Sequence, residues 1–294
     1  VFLWQSGNKY RVSAHDADMK ETEAIYGQTD SGMTIIEGHL FLNGKKPIQH
    51  RSSYGLGEVI KAALDNHTEH LVISLGGIGS FDGGAGMLQA LGATFYDDEA
   101  QIVDMRKGAY LIKYIRRIDL SGVHPQLAKV NIQLMSDFSS RLYGKKSEIM
   151  QTYESLELSQ NEAAEIDNLI WYFSELFKNE LKIAMGPIER GGAGGGIAAV
   201  LNSLYQAEIL TSHELVNQIT HLENLIQQAD LIIFGEGLKE EDQILETTTI
   251  RIAELTQQYN KPAIAICATN DKFDLFESLN VTAMFNTCLL YTSP

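Results

Sequence analysis

One pattern constrains the fold of this chain more than any other feature. Apolar runs of strand length lead into glycine-rich or acidic turns, and amphipathic helices follow those turns. The pattern recurs at residues 71–75, 131–135 and 231–234. Strands that alternate with helices predict an α/β fold with a mainly parallel sheet. In such sheets ligands bind beyond the carboxyl ends of the strands, so the turns are the first place to look for a site.

Local signals predict further elements. Apolar residues at helical spacing indicate one helix over residues 161–181 and another, unbroken, over residues 215–226. Residues 33–37 and 39–42 have the character of short strands. The Asn43-Gly44 pair that follows them is typical of a hairpin turn, so we expect the chain to reverse there.

The charge balance excludes several classes of function. Lys and Arg number 23 against 38 Asp and Glu, which gives a formal net charge of −15. An acidic surface repels nucleic-acid phosphates and anionic membranes, so we expect neither as a partner. No apolar run approaches the ~20 residues that span a bilayer, and Cys267 and Cys288 lack metal-ligand spacing. We therefore expect a soluble cytoplasmic protein with buried thiols; an oligomer is possible, and the sequence leaves that open.

Both ends of the chain have an unusual character. The sequence begins at Val1 within an apolar segment. It ends with residues 288–294, which contain no turn or capping signal after an apolar run. We expect the chain to be a fragment of a longer protein. We also expect the closing segment to be sequence from outside the gene.

Three glycine-rich turns carry the strongest functional signal. They span residues 76–86, 190–196 and 235–237. Glycine allows backbone N–H groups to approach a phosphate or carboxylate, and a helix N-terminus adds a favourable dipole. None of the three fits the pattern of P-loop proteins or the dinucleotide pattern of Rossmann folds. Tight packing is the alternative explanation for any one turn, but three together favour a shared anion site.

Charged residues at the same turns are candidates for the chemistry. Asp82, Asp137 and Glu236 each follow a predicted strand, where carboxylates can hold Mg²⁺ or position an attacking hydroxyl. Capping of a helix or a turn is the alternative role for Asp82 and Asp137. Arg190 either clamps a carboxylate or phosphate, or lies at the surface.

Several of these segments together resemble the type 1 glycerate kinase family. They are Ser53-Tyr-Gly-Leu-Gly-Glu58, the string Asp-Gly-Gly-Ala-Gly-Met at 82–87, the glycine run at 191–195, and Asp230-Leu-Ile-Ile-Phe-Gly-Glu-Gly237. The resemblance extends over residues 26–268, and the string at 82–87 is a fairly specific signature of that family.

The resemblance implies two α/β domains with mainly parallel sheets and the active site in the cleft between them. It also implies transfer of a phosphoryl group from ATP, with Mg²⁺ as cofactor, to a hydroxyl of D-glycerate. We expect residues 25–225 to form one domain, and residues 1–24 with 226–294 to form part of a second, Rossmann-like domain. The resemblance implies catalytic roles for Asp82 and Asp137, and Mg²⁺ contacts through Asp137 and Glu236. The expected substrate- or phosphate-binding residues are Ser80, Gly83, Gly84, Gly86, Arg190, Gly191, Gly192, Gly194, Gly195, Gly235, Glu236 and Gly237.

The chain also departs from the family pattern. Phe81 stands where the family has Asn, Leu238 replaces an Arg, and Glu246-Thr247 replaces Gly-Lys. Loss of the two cations weakens the stabilisation of developing negative charge. The first hypothesis is therefore a divergent glycerate kinase. The second is a catalytically impaired paralogue that binds glycerate or a nucleotide as a sensor or partner protein, and the third is an α/β protein with another small hydroxy acid as substrate.

Overall fold

A computed structural model of the chain describes residues 7–76, 79–236, 248–267 and 273–286, and it divides into two compact units, Val1–Ile209 and Leu210–Pro294. The described strands are β1 (Gly7–His15), β2 (Glu21–Thr29), β3 (Met33–Glu37), β4 (His70–Ser74), β5 (Thr94–Tyr96), β6 (Arg117–Asp119), β7 (Asn131–Met135), β8 (Glu208–Leu210), β9 (Ile232–Glu236), β10 (Ala263–Cys267) and β11 (Ala283–Asn286). The described α-helices are α1 (His39–Leu42), α2 (Tyr54–Asp65), α3 (Ala85–Ala90), α4 (Glu148–Thr152), α5 (Gln160–Leu181), α6 (Ile197–Tyr205), α7 (Ser212–Thr220), α8 (Leu222–Gln228), α9 (Thr248–Gln258) and α10 (Phe273–Ser278).

A six-stranded sheet in the order β1-β2-β3-β4-β7-β8 organises the first unit. The pairs β3–β4 and β4–β7 are parallel, whereas β1 and β2 extend the sheet as an antiparallel hairpin. The central residues of the inner strands are mainly apolar because helices cover both faces of a parallel sheet. Leu71, Ile73 and Leu134 are each fully buried. The predicted α/β class with mainly parallel pairing is confirmed.

The predicted hairpin at Asn43-Gly44 is wrong. Residues 39–42 form helix α1, and β3 already has β2 on one side and β4 on the other, so no edge is left for a returning strand. The chain after Gly44 instead folds around the buried carboxylate of Asp18. Its oxygens accept bonds from the backbone N–H groups of Lys45 (2.7 Å) and Lys46 (3.0 Å).

Capping residues set the ends of the helices after β7. The predicted helix over residues 161–181 is α5, and it begins with a capping box in which Ser159 and Glu162 exchange bonds with each other's backbone N–H. The predicted unbroken helix over residues 215–226 is divided into α7 and α8. His221 separates them because its backbone adopts the left-handed conformation, with φ of 52°.

The second unit contains a three-stranded parallel sheet in the order β11-β10-β9. Phe234, Ala265 and Ala253 of α9 belong to its small apolar core. Residues 7–24 belong to the first unit, because β1 pairs with β2 along its whole length. The grouping of residues 1–24 with 226–294 in a second domain stays a prediction. In the described part of the chain, no helix has the length and apolar character needed to cross a membrane.

Candidate functional site

The carboxyl ends of three parallel strands form one edge of the first unit's sheet. Backbone bonds continue past the ends of β3, β4 and β7. The Gly38 N–H donates to the Ser74 carbonyl over 2.9 Å, and the Leu75 N–H donates to the Met135 carbonyl over 2.8 Å. The loops that follow these strands therefore start side by side. This is the edge at which an α/β sheet places its ligands.

Asp82 is the hydrogen-bonding centre of the loop after β4, and it is 1% exposed. Its Oδ2 accepts bonds from the backbone N–H of Ser53 (2.8 Å), the Ser53 hydroxyl (2.9 Å) and the N–H of Gly86 (3.1 Å). Its Oδ1 accepts from the N–H of Gly84 over 3.0 Å. Burial raises the pKa of Asp82, and the four donors oppose that shift. The carboxylate thus joins the start of α2 to the start of α3, and this geometry favours a positioning role.

The glycine-rich loops before α3 and α6 pack directly on each other. The Gly83 N–H donates to the Gly195 carbonyl over 3.0 Å. A Cβ atom on Gly195 would lie 2.0 Å from the Ser80 carbonyl oxygen, and one on Gly196 would lie 2.8 Å from the Cα of Gly83. Both residues also have positive φ angles, 59° and 103°. Glycine is required here because two backbones touch.

The other glycines predicted in these two loops are also enclosed by protein. The buried ones are Gly83, Gly84, Gly86, Gly191, Gly192, Gly194 and Gly195. The N–H groups of Gly84 and Gly86 donate to Asp82, and that of Gly192 donates to the Ser140 carbonyl over 3.4 Å. Packing explains why these positions are glycine. Phosphate binding through their N–H groups stays a prediction.

Replacing Gly195 with Ala is expected to destabilise the first unit by roughly 3 kcal/mol or more, because left-handed strain adds to a clash between backbones. Gly32→Ala is the matched control. Gly32 also has a positive φ, 84°, but nothing lies within 4 Å of its missing Cβ. The control is expected to lose only about 1–2 kcal/mol. Urea unfolding measures both, and equal losses would contradict the interlocked arrangement of the loops.

A positively charged pocket lies between the loop after β7 and the segment before α6. It has a volume of about 230 Å³ and is lined by Ser139, Ser140, Arg141, Lys146, Glu189 and Arg190. Three cations face one carboxylate, although the whole chain carries a net charge of −15. Such a local concentration of positive charge favours a small anion as ligand. We refer to these six residues as the cationic pocket.

Hydrogen bonds hold the two walls of the cationic pocket together. Arg141 donates from Nη1 to the Pro187 carbonyl over 3.2 Å, and the Gly192 N–H reaches the Ser140 carbonyl. Arg190 is the sequence-predicted residue that lies in this pocket, half-buried and with φ of 54°. The guanidinium groups of Arg141 and Arg190 suit bidentate recognition of a carboxylate or phosphate.

Asp137 lies just beyond β7 and is half-buried, two positions before Ser139 of the cationic pocket. Among the residues that the structure describes, no group of three or more His, Cys, Asp or Glu could hold a metal ion. A single carboxylate still fits Mg²⁺, because this ion is commonly held by one or two carboxylates together with substrate phosphates. The carboxylate of Asp137 is compatible with this arrangement, in which one carboxylate and the substrate phosphates hold the ion.

The third predicted loop lies in the second unit. Gly235 and Glu236 end β9. Gly237 and the side chain of Glu236 lie outside the described residues, as do Leu238 and Glu246-Thr247. The predicted Mg²⁺ contact of Glu236 therefore stays a prediction.

A buried polar group that the sequence did not single out lies at the start of α4. Glu148 is 8% exposed, and its carboxylate accepts a bond from the Gly195 N–H. Its Oε2 has no hydrogen-bond partner, and the same holds for the hydroxyls of Ser80 and Ser140. A buried polar atom without a partner costs about 1–3 kcal/mol, so each such group requires an explanation.

Comparisons with known proteins agree with this architecture. A sequence profile of the glycerate kinase family matches residues 2–292. The chain belongs to the glycerate kinase family. A glycerate kinase of Halalkalibacterium halodurans is 31% identical over 84% of this chain and 66% of its own length. A glycerate 2-kinase of Escherichia coli is 29% identical over 80% of this chain and 61% of its own length.

Structural similarity extends over both units of this family member. A crystal structure assigned to glycerate kinase 2 of Salmonella typhimurium LT2 superimposes with a TM-score of 0.81 and 27% identity, over 95% of this chain and 75% of that one. The chain spans about two thirds of the length of the curated glycerate kinases it matches, 66% and 61% for the two above.

Sequence reasoning missed most of the cationic pocket. Arg141, Lys146 and Arg190 supply the positive charge of the pocket, but only Arg190 was predicted. A usable signal was present, since Arg141, Lys145 and Lys146 occur within six positions just after a strand end. Glu148 gave no signal of its own, because its burial depends on contacts with α5 and the glycine loop that the sequence does not reveal.

Proposed function

We propose that this family member is an ATP-dependent glycerate kinase that transfers a phosphoryl group to a hydroxyl of D-glycerate. The cationic pocket at the carboxyl edge of the sheet carries the proposal. It offers three cations to a small anion in an otherwise acidic chain. Family membership supports glycerate as that anion.

Arg141, Lys146 and Arg190 would hold the carboxylate of glycerate or a phosphate of the nucleotide. Phosphoryl transfer depends mainly on positioning and on neutralising charge, which these side chains supply. Asp137, at the end of β7, would orient the acceptor hydroxyl or take part in holding Mg²⁺. When bound, Mg²⁺ neutralises charge on the phosphoryl group. Asp82 would fix the loop that packs against this region.

Kinase activity is tested with the protein expressed at the full length of its gene. ADP release is followed with ATP, Mg²⁺ and D-glycerate, and with glycerol or L-lactate as control acceptors. Release that depends on D-glycerate is the expected result. Binding of D-glycerate without ADP release would overturn the kinase proposal and would support the catalytically impaired paralogue.

Replacing Lys146 with Ala is expected to raise the KM for D-glycerate at least about tenfold, because a hydrogen bond to a charged group is lost. Lys129→Ala is the matched control. Lys129 is exposed just before β7, at the opposite end of the strand from the pocket. Steady-state kinetics on both variants measure the effect. An equal change in the two variants would show that only the overall charge matters.

A further inference from the structure

The carboxylate of Asp167 on α5 holds the turn that precedes α4. The Gly144 N–H donates to both of its oxygens, over 3.0 Å to Oδ1 and 2.8 Å to Oδ2. The Ser147 hydroxyl donates to Oδ1 over 2.5 Å. Hydrogen bonds to a carboxylate are among the strong ones in proteins. Both ends of the segment 144–147 are therefore fixed to a single side chain.

Lys146 lies inside this segment and lines the cationic pocket. Its carbonyl accepts a bond from the Arg141 N–H over 2.8 Å. The segment also closes on itself, because the Ser147 N–H donates to the Gly144 carbonyl over 2.8 Å. Residues 141–147 thus form a closed turn, in which the backbones of two of the pocket's cations are bonded to each other.

Helix α5 gives this carboxylate a rigid support. The helix has 22 residues, begins with a capping box, and buries Ile166 and Ile170 next to Asp167. Asp167 itself is half-buried and is not one of the six residues that line the cationic pocket. A binding side chain keeps its geometry when a second group, itself fixed by packing, holds it in place. Asp167 is therefore placed to act on the pocket through the turn and not through contact with a ligand.

We propose that Asp167 is a positioning residue that fixes the turn over residues 141–147 and so holds the Lys146 ammonium in place for an anion in the cationic pocket. This inference deepens the proposed function, on which it rests for the identity of the anion. Without Asp167, the Gly144 N–H and the Ser147 hydroxyl lose their acceptor, and the segment that carries Lys146 gains freedom. Ordering that segment again on binding would cost conformational entropy and weaken the affinity.

The test is a double-mutant cycle between Asp167 and Lys146, with the full-length protein and D-glycerate as the probe. Calorimetry without ATP measures the dissociation constants. Asp167→Ala is expected to weaken binding about tenfold, and Lys146→Ala is also expected to weaken it about tenfold. The double variant is expected to bind about as weakly as Lys146→Ala, because no ammonium is left to position. Independent effects would multiply to a loss of about a hundredfold and would overturn the proposal, as would wild-type affinity in Asp167→Ala.

Two further variants separate positioning from stability. Ser159→Ala breaks the capping box at the start of the same helix, and it is expected to lower stability without changing the affinity. Asp167→Asn serves if Asp167→Ala does not fold, because it keeps an oxygen for the Gly144 N–H. It is expected to weaken binding about threefold alone and to have no further effect beside Lys146→Ala.

Steady-state kinetics provide a readout that a merely structural role would not move. In the Asp167 variants the KM for D-glycerate is expected to rise, while kcat stays within about twofold of the wild-type value. A lower kcat with an unchanged KM would contradict the positioning role. Absence of ADP release in the wild type would overturn only the kinase proposal, because the cycle is measured without ATP.

Inorganic phosphate is the second probe. A wild-type protein that binds phosphate but not D-glycerate would refute glycerate as the substrate, and the same cycle with phosphate would then decide the role of Asp167. A wild-type protein that binds neither anion would overturn both proposals.

Discussion

The wild-type protein is expected to lose about 3.5 kcal/mol of stability between pH 5 and pH 8 relative to the Glu148→Gln variant. Burial raises the pKa of Glu148 from 4.5 to about 8. Between these values the folded protein keeps a proton that the unfolded chain has released. Stability therefore falls as pH rises, by about 1.4 kcal/mol for each pH unit. Gln does not titrate, so the difference between the two proteins isolates Glu148.

Urea unfolding at pH 5, 6, 7 and 8, followed by tryptophan fluorescence, measures this difference. Trp171 on α5 is one of two tryptophans in the chain and reports on the first unit. Asp82 and Asp167 also have pKa values raised by burial, but both remain in the variant and cancel in the comparison. Parallel stability curves for wild type and Glu148→Gln over this range would show that Glu148 is not held in its protonated form.

Replacing Asp82 with Ala is expected to cost at least about 4 kcal/mol, because four buried donors lose their acceptor. Asp82→Asn is expected to be nearly as damaging, since its amide nitrogen would face donors. Asp104→Asn is the control. Asp104 is partly exposed and caps a short helical turn through the Arg106 N–H, so about 1 kcal/mol is expected there.

Stability and activity of the Asp82 variants are measured together. Loss of activity in an unfolded Asp82→Asn protein identifies no chemical role. A stable but inactive Asp82→Asn protein would instead contradict the positioning role and would indicate that Asp82 takes part directly in the reaction.

The sequence predicted those features that depend on neighbouring residues. The α5 boundary followed from its apolar stripe, and its capping box at Ser159 and Glu162 lies within four positions. The alternation of strands and glycine turns predicted the α/β class and located the loops after β4 and β7. Both kinds of signal are local, so a single sequence is enough to find them.

Features that depend on distant contacts were not predictable. Residues 39–42 have strand-like composition, but β3 already has a neighbour on each side. The glycines at 191–196 suggested phosphate, whereas the backbone of Ser80 and Gly83 explains the small size of Gly195 and Gly196. The β1–β2 hairpin belongs to the first unit because β2 also pairs with β3. No sequence motif indicates that pairing.

The bond between Gly83 and Gly195 joins two loops that are far apart along the chain. Contacts of long sequence separation are slow to form, because much of the chain must first lose its freedom. Helices such as α2 and α5 can form early from local interactions. The walls of the cationic pocket meet only when the segment before α6 reaches the loop after β7. During synthesis on a ribosome, the chain therefore has no assembled pocket until the segment preceding α6 has emerged.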